Sequence, residues 1–426
     1  MQITSKKTDK VSGEVEIPGS KSHSIRAVVF ASLANGKSTI KNMLESEDTK
    51  AAINACEALG ASITKVKEGR FEVSGFGGNL KLNEDRINTG NSGTTTNIIT
   101  SVAALTNKEI IIDGDDSIRK RSVKPLIDSI EDLGGKADSI KNNGCPPILI
   151  KGKMEGGKTI LDCQSSQYLS SLLISCPLLE KNTRIEIKNI CEKPYIEMTL
   201  KWLDELDIEY ENKEFEEMKV FGNQKYREFE KIIPSDWSSA TFLLVAGVML
   251  GKNLTIKGMD LEDSQPDKKI LSYLEKMGAD IEVEKDEIIV NKSELEGCEL
   301  DLDSTPDALP ALAVLGCYSK GKTILKNVSH ARLKETDRIS VMKKELEKMG
   351  ADIEEREDRL LIKESKLEGK RVDGHEDHRV IMALSLAGLI ADGNTTIENG
   401  GSIGVTFPGY IEVMNKIGAN IIRNEE

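Results

Sequence analysis

Nowhere in this 426-residue chain does an apolar run approach the ~20 residues that a membrane-spanning helix requires. The opening residues, MQITSKKTDK, hold no apolar signal core either, so a cytoplasmic protein is expected and a membrane or secreted one is not. Cysteine offers no framework. Cys56, Cys145, Cys163, Cys176, Cys191, Cys298 and Cys317 are scattered, without CxxC spacing or an adjacent histidine, which disfavours disulfides and zinc and leaves most of them as small core residues. Basic charge is also in short supply: Lys and Arg number 58 against 71 Asp and Glu, a net charge of −13. That excludes a general nucleic-acid surface, since gripping a phosphate backbone needs a basic face. Any cationic site must be local.

What the chain has is repetition. The string LEKMGADIE occurs at Leu274–Glu282 and again at Leu346–Glu354, 72 residues later. Looser copies of the same helix exit, an apolar residue followed by Gly or a small polar residue and then an apolar strand, fall at Gly60, Gly134, Asp207 and Gly418. With Gly278 and Gly350 they make six copies, and fixed spacing of this kind marks one supersecondary unit used many times. A second series runs out of phase with the first. Apolar segments such as VVFASLA, IITSVAAL, FLLVAGVML and IMALSLAGLIA each follow a cluster of small polar residues, near Ser22, Ser92, Ser166, Ser238, Asp307 and Asp377. They have too little polar character for a surface helix and are expected to be buried. Each unit thus reads as a buried helix, an amphipathic helix ending in Gly, and short strands such as GKTILKNV and NTRIEIKNI.

A chain of this length exceeds the size at which one core stops growing, and six units divide into three plus three. The expected first domain is Ser20–Pro234. The second is 1–19 plus 235–426, with the strand-like segment Met1–Gly19 completing its last repeat.

The local cations sit at the starts of the buried helices. Lys21 and Arg26 flank the first start and Arg379 lies in the sixth, while Lys334 and Arg338 surround another start and Arg119, Lys120 and Arg121 form a further group. Unpaired N–H groups at a helix start bind anions, and Ser, Thr, Gln and Arg side chains add donors. Simpler readings stand beside this one. Ser22, Ser92, Ser165, Ser166 and Ser238, taken singly, read as plain N-caps, and His378 reads as a satisfied core histidine. Spacing and charge alone support binding of a polyanion and little beyond it.

PGSKSHSIRA (Pro18–Ala27), GNSGTT (Gly90–Thr95), SSQYLSSLL (Ser165–Leu173), KPYIEMTL (Lys193–Leu200), DWSSATFLL, PDALPALA, RLKETDRI (Arg332–Ile339), EDHRVIMALSLA and TFPGY, in that order, together resemble the 5-enolpyruvylshikimate-3-phosphate synthases. The resemblance spans the whole chain. It implies an α/β (α+β) fold, a two-domain inside-out α/β barrel of six βαβαββ repeats whose buried helices point their N-termini at an interdomain cleft. It also implies transfer of the enolpyruvyl group of phosphoenolpyruvate to the 5-hydroxyl of shikimate 3-phosphate, with no cofactor and no metal. The expected partners are these two small molecules, with no nucleic acid and no membrane, and the expected state is a monomer.

Carried over by motif, Lys21, Ser22, Arg26, Ser165, Ser166, Gln167, Tyr195, Asp307, His330 and Lys334 would contact shikimate 3-phosphate. Lys21, Asn91, Gly93, Arg121, Gln167, Arg338 and Arg379 would contact phosphoenolpyruvate. Asp307, Glu335 and Lys21 would be catalytic, Asp307 serving the attacking hydroxyl and Glu335 with Lys21 the methylene carbon. Three positions depart from the family's usual pattern: Val405 where a Lys is common, Asn97 where an Arg is common, and Glu192 in place of a Ser on the substrate phosphate. Glu192 is therefore expected to turn away, toward Lys193, or to weaken phosphate binding. The related UDP-N-acetylglucosamine enolpyruvyl transferases usually run Ala-Lys-Asn where this chain has Ser20-Lys21-Ser22, and place a reactive Cys in the loop corresponding to Asp113–Val123, which has none here. A binding protein with a decayed site is the other alternative, and retention of Lys21, Asp307, Glu335, Arg338 and Arg379 argues against it.

Overall fold

The computed structural model describes residues 1–424. Its α-helices, in chain order, are α1 (Lys21–Leu33), α2 (Glu47–Ala58), α3 (Gly93–Ala103), α4 (Lys124–Asp132), α5 (Ser166–Ser175), α6 (Lys193–Glu205), α7 (Trp237–Leu250), α8 (Ile270–Lys276), α9 (Leu309–Tyr318), α10 (Arg338–Lys348), α11 (His378–Ile390) and α12 (Tyr410–Lys416). The odd-numbered helices are the apolar segments. They are buried almost throughout, and every residue of α7 is. The even-numbered helices present polar residues along one side, as α10 does with Lys343, Lys344 and Glu347.

The repeat marker has a local cause. After each even-numbered helix the chain reverses through one residue in the left-handed region: Gly60, Gly134, Gly278, Gly350 and Gly418 at five exits and Asp207, at φ +56, at the sixth. Glycine enters that region without a Cβ penalty, so it recurs wherever this turn is built.

Among the described residues six four-stranded sheets accompany the helices, and all six share one topology. The first two strands pair in parallel and the remaining pairings are antiparallel, as in Gly157–Asp162 beside Thr183–Lys188, then Glu217–Val220, then Tyr210–Lys213. The chain divides into two compact units. One comprises Gly19–Ile233, and the other comprises Met1–Pro18 with the chain from Pro234 onward. Each holds its own apolar core. In the first, α3 packs on α5 and α1 on α3, and in the second α7, α9 and α11 pack on one another.

The N-terminal segment is shared between two sheets of its unit. Strand Gln2–Lys6 lies between Asn394–Glu398 and Asn420–Asn424 in the sheet of the last repeat. Strand Val11–Glu16 instead runs parallel to Gly251–Lys257, in the fourth repeat. Glu230–Ile232 plays the matching part in the other unit, parallel to Lys37–Lys41.

Chain termini usually tolerate substitution unless they are tied down, and Ile3 is tied down on both sides and fully buried. Ile3→Ala should therefore cost ~2–5 kcal/mol, the usual penalty for emptying a buried aliphatic site. Urea unfolding of the variant against the parent checks this.

Candidate active site

In the unit Gly19–Ile233 the expected residues gather at the starts of α1, α3, α5 and α6. Lys21 is the first residue of α1, and its ammonium lies 3.2 Å from Asp48 Oδ2 at the start of α2, both side chains being largely buried. Ser22 lies within the first turn, so it is not the N-cap that its sequence context suggested; Ser20 occupies that position. Arg26 is buried and donates to Thr199 Oγ1 (3.0 Å), Ser170 Oγ (3.3 Å), and the carbonyls of Ser22 (3.2 Å) and Tyr195 (3.1 Å). All four acceptors are neutral. Burial, with no carboxylate to offset it, pulls its pKa down to about 10, which leaves the charge in place at neutral pH.

Ser92 caps α3 by accepting from the Thr95 N–H, and Ser165 caps α5 by accepting from the Gln167 N–H. Around these caps the side chains interlock. Arg121 donates to Asn91 Oδ1 (3.2 Å) and Ser117 Oγ (2.9 Å), and Asn91 donates to Asp115 (2.7 Å). Gln167 donates to Thr94 Oγ1 (3.3 Å) and accepts from Asn97 Nδ2 (2.7 Å). Gly93 is the open point of this ring, because a Cβ there would stand 2.9 Å from Arg121 Nη1. Arg119, by contrast, is taken up by Asp113 through two N–H groups.

The departures from the family pattern have definite places. Asn97 fixes Gln167. Glu192 does not turn toward Lys193: it is buried at φ +53 ahead of α6 and its carboxylate accepts from Ser166 Oγ at 3.0 Å, while the Lys193 ammonium lies 5.7 Å from the centre of the Phe215 ring. The position is set by the turn into α6, which aims the side chain at the start of α5. Val405 ends the 3₁₀ turn Gly400–Val405 in the other unit and brings no charge there.

In that other unit the site is built on one guanidinium. Arg338 opens α10 and is 1% exposed. Its Nε donates to Asp377 Oδ2 (2.8 Å), Nη1 to Asp307 Oδ1 (2.7 Å) and Nη2 to Glu335 Oε2 (2.5 Å). Arg379 Nη2 reaches the other oxygen of Asp307 at 2.8 Å. Burial alone would lower the affinity of Arg338 for its proton, but Asp377, Glu335 and Asp307 outweigh it and hold the pKa well above the ordinary value. Burial likewise opposes Arg379, and Asp307 raises it. Four expected residues, Asp307, Glu335, Arg338 and Arg379, thus form one continuous network. His330 is buried in the 3₁₀ turn Ser329–Leu333, and Lys334 follows it half-buried.

Sequence reading passed over Asp48 and Asp377. Each sits at a helix start and looks like an ordinary cap or first-turn acid. Asp377 does cap α11, accepting from the Arg379 N–H at 2.9 Å, and the same carboxylate takes Arg338 and the Thr336 hydroxyl (3.2 Å). The approach to it is strained, since His375 and Glu376 are consecutive non-glycine residues at φ +50 and +57, a conformation that costs of order 1–3 kcal/mol at each residue.

Among the described residues no three His, Cys, Asp or Glu side chains are arranged to hold a metal ion, and no helix is long and apolar enough to cross a membrane. Among the described residues the cysteines form no disulfide. Burial pushes the Cys56, Cys163, Cys176 and Cys317 thiols up to about 12, which suits inert core residues.

Residues 5–414 match the family model described as EPSP synthase (3-phosphoshikimate 1-carboxyvinyltransferase). The chain is 48% identical over 412 residues to a 3-phosphoshikimate 1-carboxyvinyltransferase of Acetivibrio thermocellus, covering 97% of each chain. It is 46% identical over 411 residues to that of Ruminiclostridium cellulolyticum, covering 96% of this chain and 97% of the other. Its fold superposes on the solved EPSP synthase of Acinetobacter baumannii with a TM-score of 0.85 at 26% identity, over 99% of both chains. A family match across nearly the whole length, with relatives close to half identical, means that the chain belongs to the EPSP synthase family.

Proposed function

We propose that this chain transfers the enolpyruvyl group of phosphoenolpyruvate to the 5-hydroxyl of shikimate 3-phosphate, a step of aromatic amino acid biosynthesis. The observation that carries the chemistry is the pair of carboxylates, Asp307 and Glu335, held 2.7 Å and 2.5 Å from one buried guanidinium.

The reaction adds and then eliminates. The 5-hydroxyl oxygen bonds to C2 of phosphoenolpyruvate as C3 gains a proton, giving a tetrahedral intermediate. Loss of that proton from the new methyl group then expels phosphate and restores the double bond. Asp307 takes the hydroxyl proton or orients the group that bears it. Glu335, with Lys21, gives a proton to C3 and removes one afterwards. The arrangement around Arg338 suits this. Asp377 is fully buried, whereas the Asp307 and Glu335 side chains are each 17% exposed. The two acids assigned to proton transfer are thus the ones open to an incoming ligand, while the buried one holds Arg338 in place.

Lys21, Ser22, Arg26, Ser165, Ser166, Gln167, Tyr195, His330 and Lys334 are assigned to shikimate 3-phosphate together with Asp307. Asn91, Gly93 and Arg121 are assigned to phosphoenolpyruvate with Lys21, Gln167, Arg338 and Arg379. Charge-assisted bonds from guanidinium forks suit both anions. We also infer that three sheets around three buried helices make each unit an inside-out α/β barrel of βαβαββ repeats. We also infer a monomer in the cytoplasm, working with no cofactor.

Phosphate release from phosphoenolpyruvate should require shikimate 3-phosphate, and release that ignores it would overturn the assignment. Glu335→Ala should leave both substrates bound while cutting turnover by ~10²–10⁴, the range for a positioned acid or base; isothermal titration paired with a phosphate-release assay separates the two effects. Gly93→Ala should displace the Arg121 guanidinium and raise KM for phosphoenolpyruvate about tenfold or more while changing KM for shikimate 3-phosphate less, as initial rates with each substrate varied in turn would reveal.

A further inference from the structure

Glu345 is a carboxylate with no exposed surface, and nothing in the chemistry above uses it. It lies on α10 seven residues after Arg338, two turns along and therefore on the same face of the helix. Both residues reach the same short stretch of chain. Arg338 grips Asp377 through Nε. Glu345 Oε2 accepts from the Asp373 N–H at 2.9 Å and from the Lys348 ammonium at 2.6 Å, and Oε1 lies 3.0 Å from His375 Nε2. Between these two grips run His375 and Glu376, both in the left-handed region.

A strained loop holds its shape only when its surroundings over-determine it, and Glu345 supplies contacts at residues 373 and 375. Asp377 follows at once. Its position decides where the Arg338 guanidinium stands, and that guanidinium aims Asp307 and Glu335. We propose that Glu345, with His375, is a positioning element for the reaction, acting through Asp377 and Arg338 on the two proton-transfer carboxylates without touching substrate. The inference rests on the enolpyruvyl-transfer reading.

Burial pushes the Glu345 carboxyl up, but the Lys348 and His375 side chains and the Asp373 N–H outweigh it and hold it below the usual glutamate range. The carboxylate is thus the form that grips the loop at neutral pH.

The test is a double-mutant cycle on kcat, with the folded fraction of each protein fixed by urea titration. Glu345→Ala and the space-filling Glu345→Leu should each lower kcat tenfold or more, and Glu345→Gln, which keeps an acceptor for the Asp373 N–H, should recover to within about threefold of the parent. In an Asp377→Asn background, Glu345→Ala should change kcat less than twofold, because both substitutions break one line of action. A kcat within twofold of the parent for Glu345→Ala, or losses that multiply across the cycle as two independent structural defects would, overturns the proposal. Should Glu345→Ala not fold, His375→Ala on the partly exposed loop takes its place, with the same non-additive result expected and the same multiplicative result fatal. An inactive parent would instead refute the proposed reaction.

Discussion

The buried pair between Arg338 and Asp377 is the contact on which the placement of Asp307, Glu335 and the start of α11 depends. Arg338 is 1% exposed and Asp377 has no exposed surface, so both charges have left water at a desolvation cost of several kcal/mol each, offset only by close geometry and further hydrogen bonds. Those bonds are present. Asp377 also receives the Thr336 hydroxyl and the Arg379 N–H, and Arg338 also serves Asp307 and Glu335. Removing one member of such a pair strands the other, at ~3–5 kcal/mol. The pair therefore ties the first residue of α10 to the cap of α11, and the outer and buried helices cannot slide past one another without losing it.

The other unit solves a different problem. Arg26 is nearly as buried as Arg338, but its hydrogen bonds all go to neutral oxygens. Its charge is solvated and not neutralised, which leaves an attractive potential for an incoming anion. Lys21 is closer to the arrangement around Arg338, with Asp48 at 3.2 Å. A single carboxylate on a flexible ammonium is a looser hold than three on a planar guanidinium, which suits the two roles proposed for Lys21, binding substrate and helping to move a proton.

Much of this was legible in the chain. The glycine exits and the polar starts of apolar segments are local features with a fixed period, and helix identity follows from them. Pairings distant in sequence leave no such mark. Nothing in VSGEVE says that it runs beside GKNLTIK rather than with the last repeat, because any apolar-alternating strand satisfies either sheet. Site residues divide the same way. Arg338 and Arg379 stand out as cations at helix starts in an acidic chain, whereas Asp48, Asp377 and Glu345 have a bland explanation ready, as a first-turn acid, a cap and a helix-surface glutamate. Glu345 is the sharpest case, since in LEKMGADIE and its approach it reads as one more member of a charged face, and only the return of residues 373–377 buries it. For Glu192 the expected turn toward Lys193 is absent for a reason of backbone geometry: a left-handed turn before α6, invisible to charge counting, sends the carboxylate to Ser166.

The caps of the buried helices explain how an acidic protein handles two anions. In the unit Gly19–Ile233 the side chains that cap α3 and α5 are hydroxyls, Ser92 and Ser165, and Ser20 stands at the N-cap position of α1 without a side-chain cap hydrogen bond. In the other unit α7 and α11 are capped by Asp236 and Asp377, and Asp307 lies in the turn that leads into α9. A hydroxyl cap leaves the positive end of the helix dipole available to a ligand, while a carboxylate cap consumes it. With charges screened beyond roughly 8–10 Å in physiological salt, the net −13 matters less to a bound phosphate than which of these ends it meets. One unit is thereby suited to hold anions outright. In the proposed reaction the other supplies carboxylates as proton acceptors, and Arg338 and Arg379 would make the same spot receptive to phosphoenolpyruvate. The repeat has been used twice with opposite electrostatics, and chemistry that must bind negative charge and also abstract protons requires both.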